Sequence, residues 1–116
     1  MKELLHPTLS IRLHTDGKCF GPGIAQLLRR VRELRSLRAA AQSMSMAYSK
    51  AWTMVKNCET ALGRKLLAYT TGGAGGGGAA LTEDAEKLLA SYEAYCADVE
   101  RHAQAVFADH FSEFLG

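Results

Sequence analysis

Ser36 to Gly63 reads SLRAAAQSMSMAYSKAWTMVKNCETALG. Leu37, Ala40, Ala41 and Met44 are spaced i, i+3, i+4, i+7, which predicts a short helix with one apolar face. Ser36 is its expected cap, because a serine oxygen accepts the free amide hydrogens of a first turn. Ser43 to Met46 reads as a break. A second helix is expected from about Ala47 to Leu62, with Ala51, Val55, Cys58 and Leu62 inside. Its outer face would carry Tyr48, Ser49, Lys50, Thr53, Lys56 and Asn57. Trp52, bracketed by Ala51 and Val55, is read as a packing residue.

Two short helices joined by a tight turn with small residues at the crossing describe a helix-turn-helix, whose second helix can enter the major groove of DNA. The following stretch extends the pattern. RKLLAYTTGGAGGGGAALTEDAEKLL, from Arg64 to Leu89, reads as strand, glycine-rich loop, strand and long helix. The loop lacks the Gly-Lys-Ser/Thr ending of a phosphate-binding loop, and so the lysine and metal-binding hydroxyl of a nucleotide site. No nucleotide is expected. Strand-like flanks at Lys65–Tyr69 and Ala79–Leu81 favour a hairpin tip over a linker. Glycines there suit close approach to a sugar-phosphate surface, since no Cβ intervenes.

This order resembles the winged-helix domain of LysR-type and, more closely, ModE-type bacterial regulators. The matching pieces are FGPG at Phe20 to Gly23, SLRAAAQSMSMAYSKAW at Ser36 to Trp52, and TGGAGGGGAALT at Thr71 to Thr82. The chain departs from the family pattern at Ala47, where a capping serine is usual, and at Ser45, where the turn usually has glycine. It also departs at Ala74, where the wing commonly carries lysine, and at Tyr69, where arginine precedes the wing. The resemblance covers only the DNA-binding half of ModE-type regulators, so molybdate sensing is not carried over.

Charge and composition bound the reading. The chain has 116 residues and a net charge of +2. Residues 1–66 hold 12 of the 14 Lys+Arg and 4 of the 12 Asp+Glu, a net +8, while residues 67–116 net −6. A basic front half suits a polyanion. No stretch is apolar for long enough to span a membrane and no signal-peptide core opens the chain, so a cytoplasmic location is expected. Cys19, Cys58 and Cys96 form no C-x-x-C, and an odd number far apart in sequence argues for reduced thiols. His6, His14, His102 and His110 make no ligand cluster. No metal or cofactor is expected. No nucleophile–base pair or paired carboxylate site stands out, so the chain is not read as an enzyme.

Along the rest of the chain, residues 1–8 read as a lead-in. Leu9, Ile11 and Leu13 alternate with polar residues as a strand does. Thr15-Asp16-Gly17 supplies a turn, and Lys18 to Phe20 would return as a second strand. Gly21-Pro22 opens a helix whose buried stripe is Ile24, Leu27, Leu28, Val31 and Leu34. Its arginines would meet either DNA phosphate or the acidic C-terminal helix. Thr82 starts the last helix, with Glu83 and Asp84 against its positive end. There Ala85, Leu89, Tyr92, Cys96, Val99, Ala103, Val106 and His110 alternate in steps of four and three, a coiled-coil seam widened by Leu88, Tyr95 and Phe107.

The expected architecture is mainly α with small β-hairpins. Residues 1–81 would form a winged helix-turn-helix and residues 82–116 a long C-terminal dimerisation helix. The expected function is a dimeric, sequence-specific regulator of transcription bound to double-stranded DNA. Tyr48, Ser49, Lys50 and Thr53 would face bases, with Lys56 and Asn57 further along. Arg64 and Lys65 would add charge near the wing, and Gly72, Gly73, Gly75, Gly76, Gly77 and Gly78 would lie along the backbone. Leu89, Tyr92, Cys96, Val99, Ala103 and Val106 would meet a second copy. The alternative is a winged-helix module that binds protein, with weak or no DNA binding.

Overall fold

The computed structural model describes residues 4–70 and 77–115. A minimal antiparallel hairpin comes first, β1 (Leu13–His14) against β2 (Lys18–Phe20). The strand expected from Leu9 is thus confined to its end. The physical reason lies at Ile11, whose carbonyl accepts the Tyr92 hydroxyl at 2.7 Å instead of a neighbouring strand.

Gly21 precedes α1 (Pro22–Leu34), with proline in the first turn, where its missing N–H costs nothing. Ile24, Ala25, Leu27, Leu28 and Val31 are buried, whereas Leu34 at the end of the expected stripe is exposed. Ser36 Oγ accepts the Ala39 N–H at 3.0 Å and starts α2 (Leu37–Ser43). The turn after α2 closes with Met46 N–H donating to Ala41 O at 2.9 Å. Ser45 sits there at φ 53°, the left-handed conformation that glycine adopts most readily. Ala47 then begins α3 (Tyr48–Leu62) with no side-chain cap. Gly63, at φ 66°, ends it.

A second hairpin follows, β3 (Leu67–Thr70) and β4 (Gly78–Leu81), in the register Leu67↔Leu81 through Thr70↔Gly78. Thr82 N–H donating to Leu66 O continues its ladder, and Ala79 N–H donating to Arg35 O ties it to the end of α1, both at 3.0 Å. Gly72, Gly73, Gly75 and Gly76 lie outside the described residues.

Thr82 caps α4 (Glu83–Phe111) by accepting the Ala85 N–H at 3.1 Å, while its own hydroxyl donates to Lys65 O at 2.6 Å. A turn of 3-10 helix, Ser112–Phe114, ends the described chain. The core lies between α1, α2, α3, the second hairpin and the first third of α4. Phe20 stacks edge-on against Tyr92, ring centroids 5.0 Å apart.

That packing corrects the expected dimer seam. Leu89 is fully buried and Tyr92 nearly so within the single chain, together with Ala85. They belong to the chain's own core, and Phe20 and Ile11 hold Tyr92 there. Cys96 is half-buried against the same core, and of the later seam positions Val99 and Ala103 are half-buried and Val106 is exposed. The molecule measures 61 × 35 × 22 Å, drawn out by a helix of 29 residues.

Candidate nucleic-acid interface

The outer face of α3 carries Tyr48, Ser49, Lys50, Thr53 and Asn57, all exposed. The opposite face holds Ala51, Val55 and Cys58 with no solvent exposure. Leu62, expected inside, is 37% exposed at the last position of α3. Among the described residues Lys50 makes no ion pair, so its ammonium is available to an external acceptor.

Trp52 departs from the sequence reading. It is 44% exposed and lies on the outer side one turn after Tyr48. A helix residue flanked by an inward Ala51 and an inward Val55 still points outward when those two define one stripe and it falls 100° from the first. Lys56 extends across Trp52: its ammonium is 5.5 Å from the Trp52 ring centroid and 5.5 Å from that of Tyr69 on β3. It also stands 3.3 Å from Glu59 Oε1. Lys56 is therefore held within the protein by one carboxylate and two aromatic rings, and joins α3 to the hairpin.

Glu59 was missed from the sequence, which offered one signal: an acid in the last turn of a helix opposes the helix dipole. Its side chain is buried, and Oε2 accepts the N–H groups of Leu66 at 2.7 Å and Leu67 at 3.3 Å. Among the described residues Oε1 has no hydrogen bond and pairs with the Lys56 ammonium. Burial pushes the Glu59 carboxyl up, but the two backbone donors and the Lys56 ammonium outweigh it and hold it below its ordinary value. Glu59 thereby fixes where β3 leaves α3.

Arg38 of α2, also unassigned from sequence, lies over the Tyr48 ring at 4.3 Å. It shares a cleft of about 300 Å³ with Ser36, Tyr48, Tyr69, Thr70 and Gly77. This cleft lies between the starts of α2 and α3 and the second hairpin.

The remaining charges sort between the roles that the sequence left open. Arg29 pairs with Glu93 at 2.7 Å and Arg32 with Glu86 at 2.5 Å, so these arginines of α1 meet the acidic helix. Arg64 pairs with Asp84 at 3.2 Å, at the start of α4. Its guanidinium is turned toward α4 by that acid. Lys65 is exposed beside it. Part of the charge asymmetry is thus satisfied within the fold. Gly77 is exposed, whereas Gly78 is enclosed: a Cβ there would stand 3.0 Å from Arg35 O and 3.0 Å from Thr70 Oγ1. Among the described residues no group of three or more His, Cys, Asp or Glu could hold a metal ion. No helix among them is long and apolar enough to cross a membrane.

Helix, turn, exposed second helix and adjoining hairpin define a winged helix-turn-helix. Bacterial regulatory helix-turn-helix proteins of the lysR family match residues 25–86, more than half of the chain. The chain belongs to that family and is a DNA-binding regulator of transcription whose partner is double-stranded DNA. None of the curated proteins compared with it matches.

Proposed function

We propose that two copies of this chain bind a palindromic operator, with α3 as the recognition helix in the major groove. The observation that carries this reading is the outer face of α3, where Ser49, Lys50, Thr53 and Asn57 stand exposed and Lys50 has no described acid partner. Lys50 suits the paired acceptors of guanine, Asn57 the donor–acceptor edge of adenine, and Ser49 and Thr53 suit either base or phosphate. Tyr48 and Trp52 add apolar area beside them. Arg38, Lys65 and the backbone around Gly77 would meet the phosphates. Lys56 acts from within, by setting the angle between α3 and β3. Arg64 is assigned to the junction with α4 rather than to DNA.

The second copy is inferred from α4 beyond Tyr92. Val99, Ala103 and Val106 continue the seam past Cys96, which packs against the domain's own core, with Val106 37% exposed and Phe111 43% exposed. The ModE-type resemblance, carried by Tyr48, Ala51 and Trp52 and by the glycine loop, supports placing the DNA-binding half nearer to those regulators within the family.

The test is titration of random and selected duplexes over a range of salt. Selection from a random duplex library with the whole chain should enrich an inverted repeat, bound at least about 10³-fold more tightly than random duplex. Affinity should fall steeply with salt as phosphate-bound counterions are released. Absence of duplex binding at low salt would turn the reading toward a protein-binding winged helix.

A further inference from the structure

Cys19 in β2 and Cys58 on the inner face of α3 are 39 positions apart in the chain, yet their sulfurs stand 3.0 Å from each other. Both are free thiols, Cys58 buried and Cys19 partly exposed. A disulfide has its sulfurs about 2.05 Å apart, so the bond requires an approach of about 1 Å. Burial first, then the contact with Cys19, hold the Cys58 thiol far above its ordinary value, and the Glu59 carboxylate acts in the same direction. Cys58 is thus a protonated thiol closed to solutes, with a second sulfur at its only reactive atom. The third cysteine, Cys96, lies on α4 and serves as an internal control.

We propose that Cys19 and Cys58 are a two-electron redox pair, which a hydroperoxide converts to a reversible intrachain disulfide. Cys19, the partly exposed member of the pair, attacks one peroxide oxygen as its thiolate. The O–O bond breaks, the departing hydroxide takes up the proton that the Cys19 thiol had released and leaves as water, and Cys19 becomes a sulfenic acid. Cys58 Sγ then attacks Cys19 Sγ, the S–O bond breaks, and the hydroxyl departs as water with the Cys58 proton. Two thiols and one hydrogen peroxide give one disulfide and two waters. The bond ties β2 to the helix that carries Ser49, Lys50 and Thr53 on its other side. Its consequence rests on the DNA-binding reading above: moving α3 by part of an ångström misaligns its base contacts. Loss of one such contact corresponds to about fivefold in affinity or more.

The experiment treats the reduced whole chain with one to two equivalents of hydrogen peroxide, quenches with an alkylating agent under denaturing conditions, and maps the peptides by mass spectrometry. The expected product has lost two hydrogens, contains one peptide joining Cys19 to Cys58, alkylates only at Cys96, and reverts with dithiothreitol. In Cys58→Ser, Cys19 should stop at the sulfenic acid and be captured by dimedone. In Cys19→Ser, which alters the partly exposed position and so the fold least, Cys58 should remain unmodified. A wild-type product with sulfinic acid at Cys19 and Cys58 still alkylated overturns the pair. The disulfide and reduced forms should differ about fivefold or more on the selected duplex, and Cys19→Ser should abolish the difference. Equal affinities overturn the regulatory consequence. Failure of both forms to bind any duplex counts against the DNA reading alone, because the mass measurement involves no DNA.

Discussion

Glu59 of α3 accepts the backbone N–H groups of Leu66 at 2.7 Å and Leu67 at 3.3 Å, so the helix that would meet bases and the hairpin that would meet phosphates are joined through one carboxylate oxygen. Glu59→Ala would leave the buried N–H groups of Leu66 and Leu67 without an acceptor, at about 1–3 kcal/mol. The pH dependence follows from the sign of the shift. The folded carboxyl is held below its ordinary value, so its stabilisation is complete above the unfolded pKa of about 4.3 and is lost as pH falls through the lower folded value. Thermal melts of the wild type should therefore weaken below about pH 4, and Glu59→Gln should flatten that acid arm. An unchanged acid arm in the variant would remove Glu59 from the linkage.

Lys50 and Lys65 separate base reading from charge. Lys50→Ala should weaken the selected duplex more than random duplex, by about 1–3 kcal/mol of discrimination. Lys65→Ala should weaken both alike and lower the salt slope by about one. Equal losses for both variants in an anisotropy titration would take Lys50 out of base readout.

Trp52 is the chain's single tryptophan and is 44% exposed on α3. Its fluorescence should change when duplex DNA binds. Trp52→Ala should reduce duplex affinity at least threefold to tenfold, about 1 kcal/mol, while lowering the melting temperature by only a few degrees. Emission that stays constant at saturating duplex would put the DNA elsewhere on the surface.

Gly78 and Gly77 should part company. Alanine at Gly78 forces a Cβ to 3.0 Å from Arg35 O and Thr70 Oγ1, an overpacking cost of about 1–3 kcal/mol read in a denaturant melt. Alanine at exposed Gly77 should leave the melt unchanged and act, if at all, on duplex affinity. A Gly78→Ala protein as stable as wild type would show that β4 can shift away from Arg35.

Val99 and Val106 isolate the dimer from the fold. A glutamate at Leu89 would fall in the chain's own core and so could not distinguish dissociation from unfolding. Val99→Glu with Val106→Glu lies beyond that core. Paired carboxylates brought together across a twofold axis would be desolvated and repel. Sedimentation should show a folded monomer with unchanged helix content and weakened operator binding. A wild type that is itself monomeric at micromolar concentration would overturn the dimer and the inverted-repeat expectation.

Local chemistry was legible from the sequence alone. The Ser36 cap, Pro22 and Thr82 at helix starts and the apolar spacing of α1 to α3 follow from i, i+3, i+4 geometry and backbone hydrogen-bonding rules. These act within a few residues and need no tertiary information. What only the tertiary structure decided involves distant partners. Leu89 and Tyr92 look like coiled-coil positions in sequence, because a seam facing another chain and one facing the chain's own core have the same period. Trp52 was assigned inward because its neighbours are small and apolar, yet the stripe of Ala51, Val55 and Cys58 already fills that side. Arg29, Arg32 and Arg64 could face DNA or carboxylate with equal chemistry until α4 brought Glu93, Glu86 and Asp84 within reach. Cys19 and Cys58, and Glu59 with the start of β3, meet only because α3 packs between the two hairpins. Periodicity tells which side of an element is apolar; what covers that side is fixed by the arrangement of the whole chain.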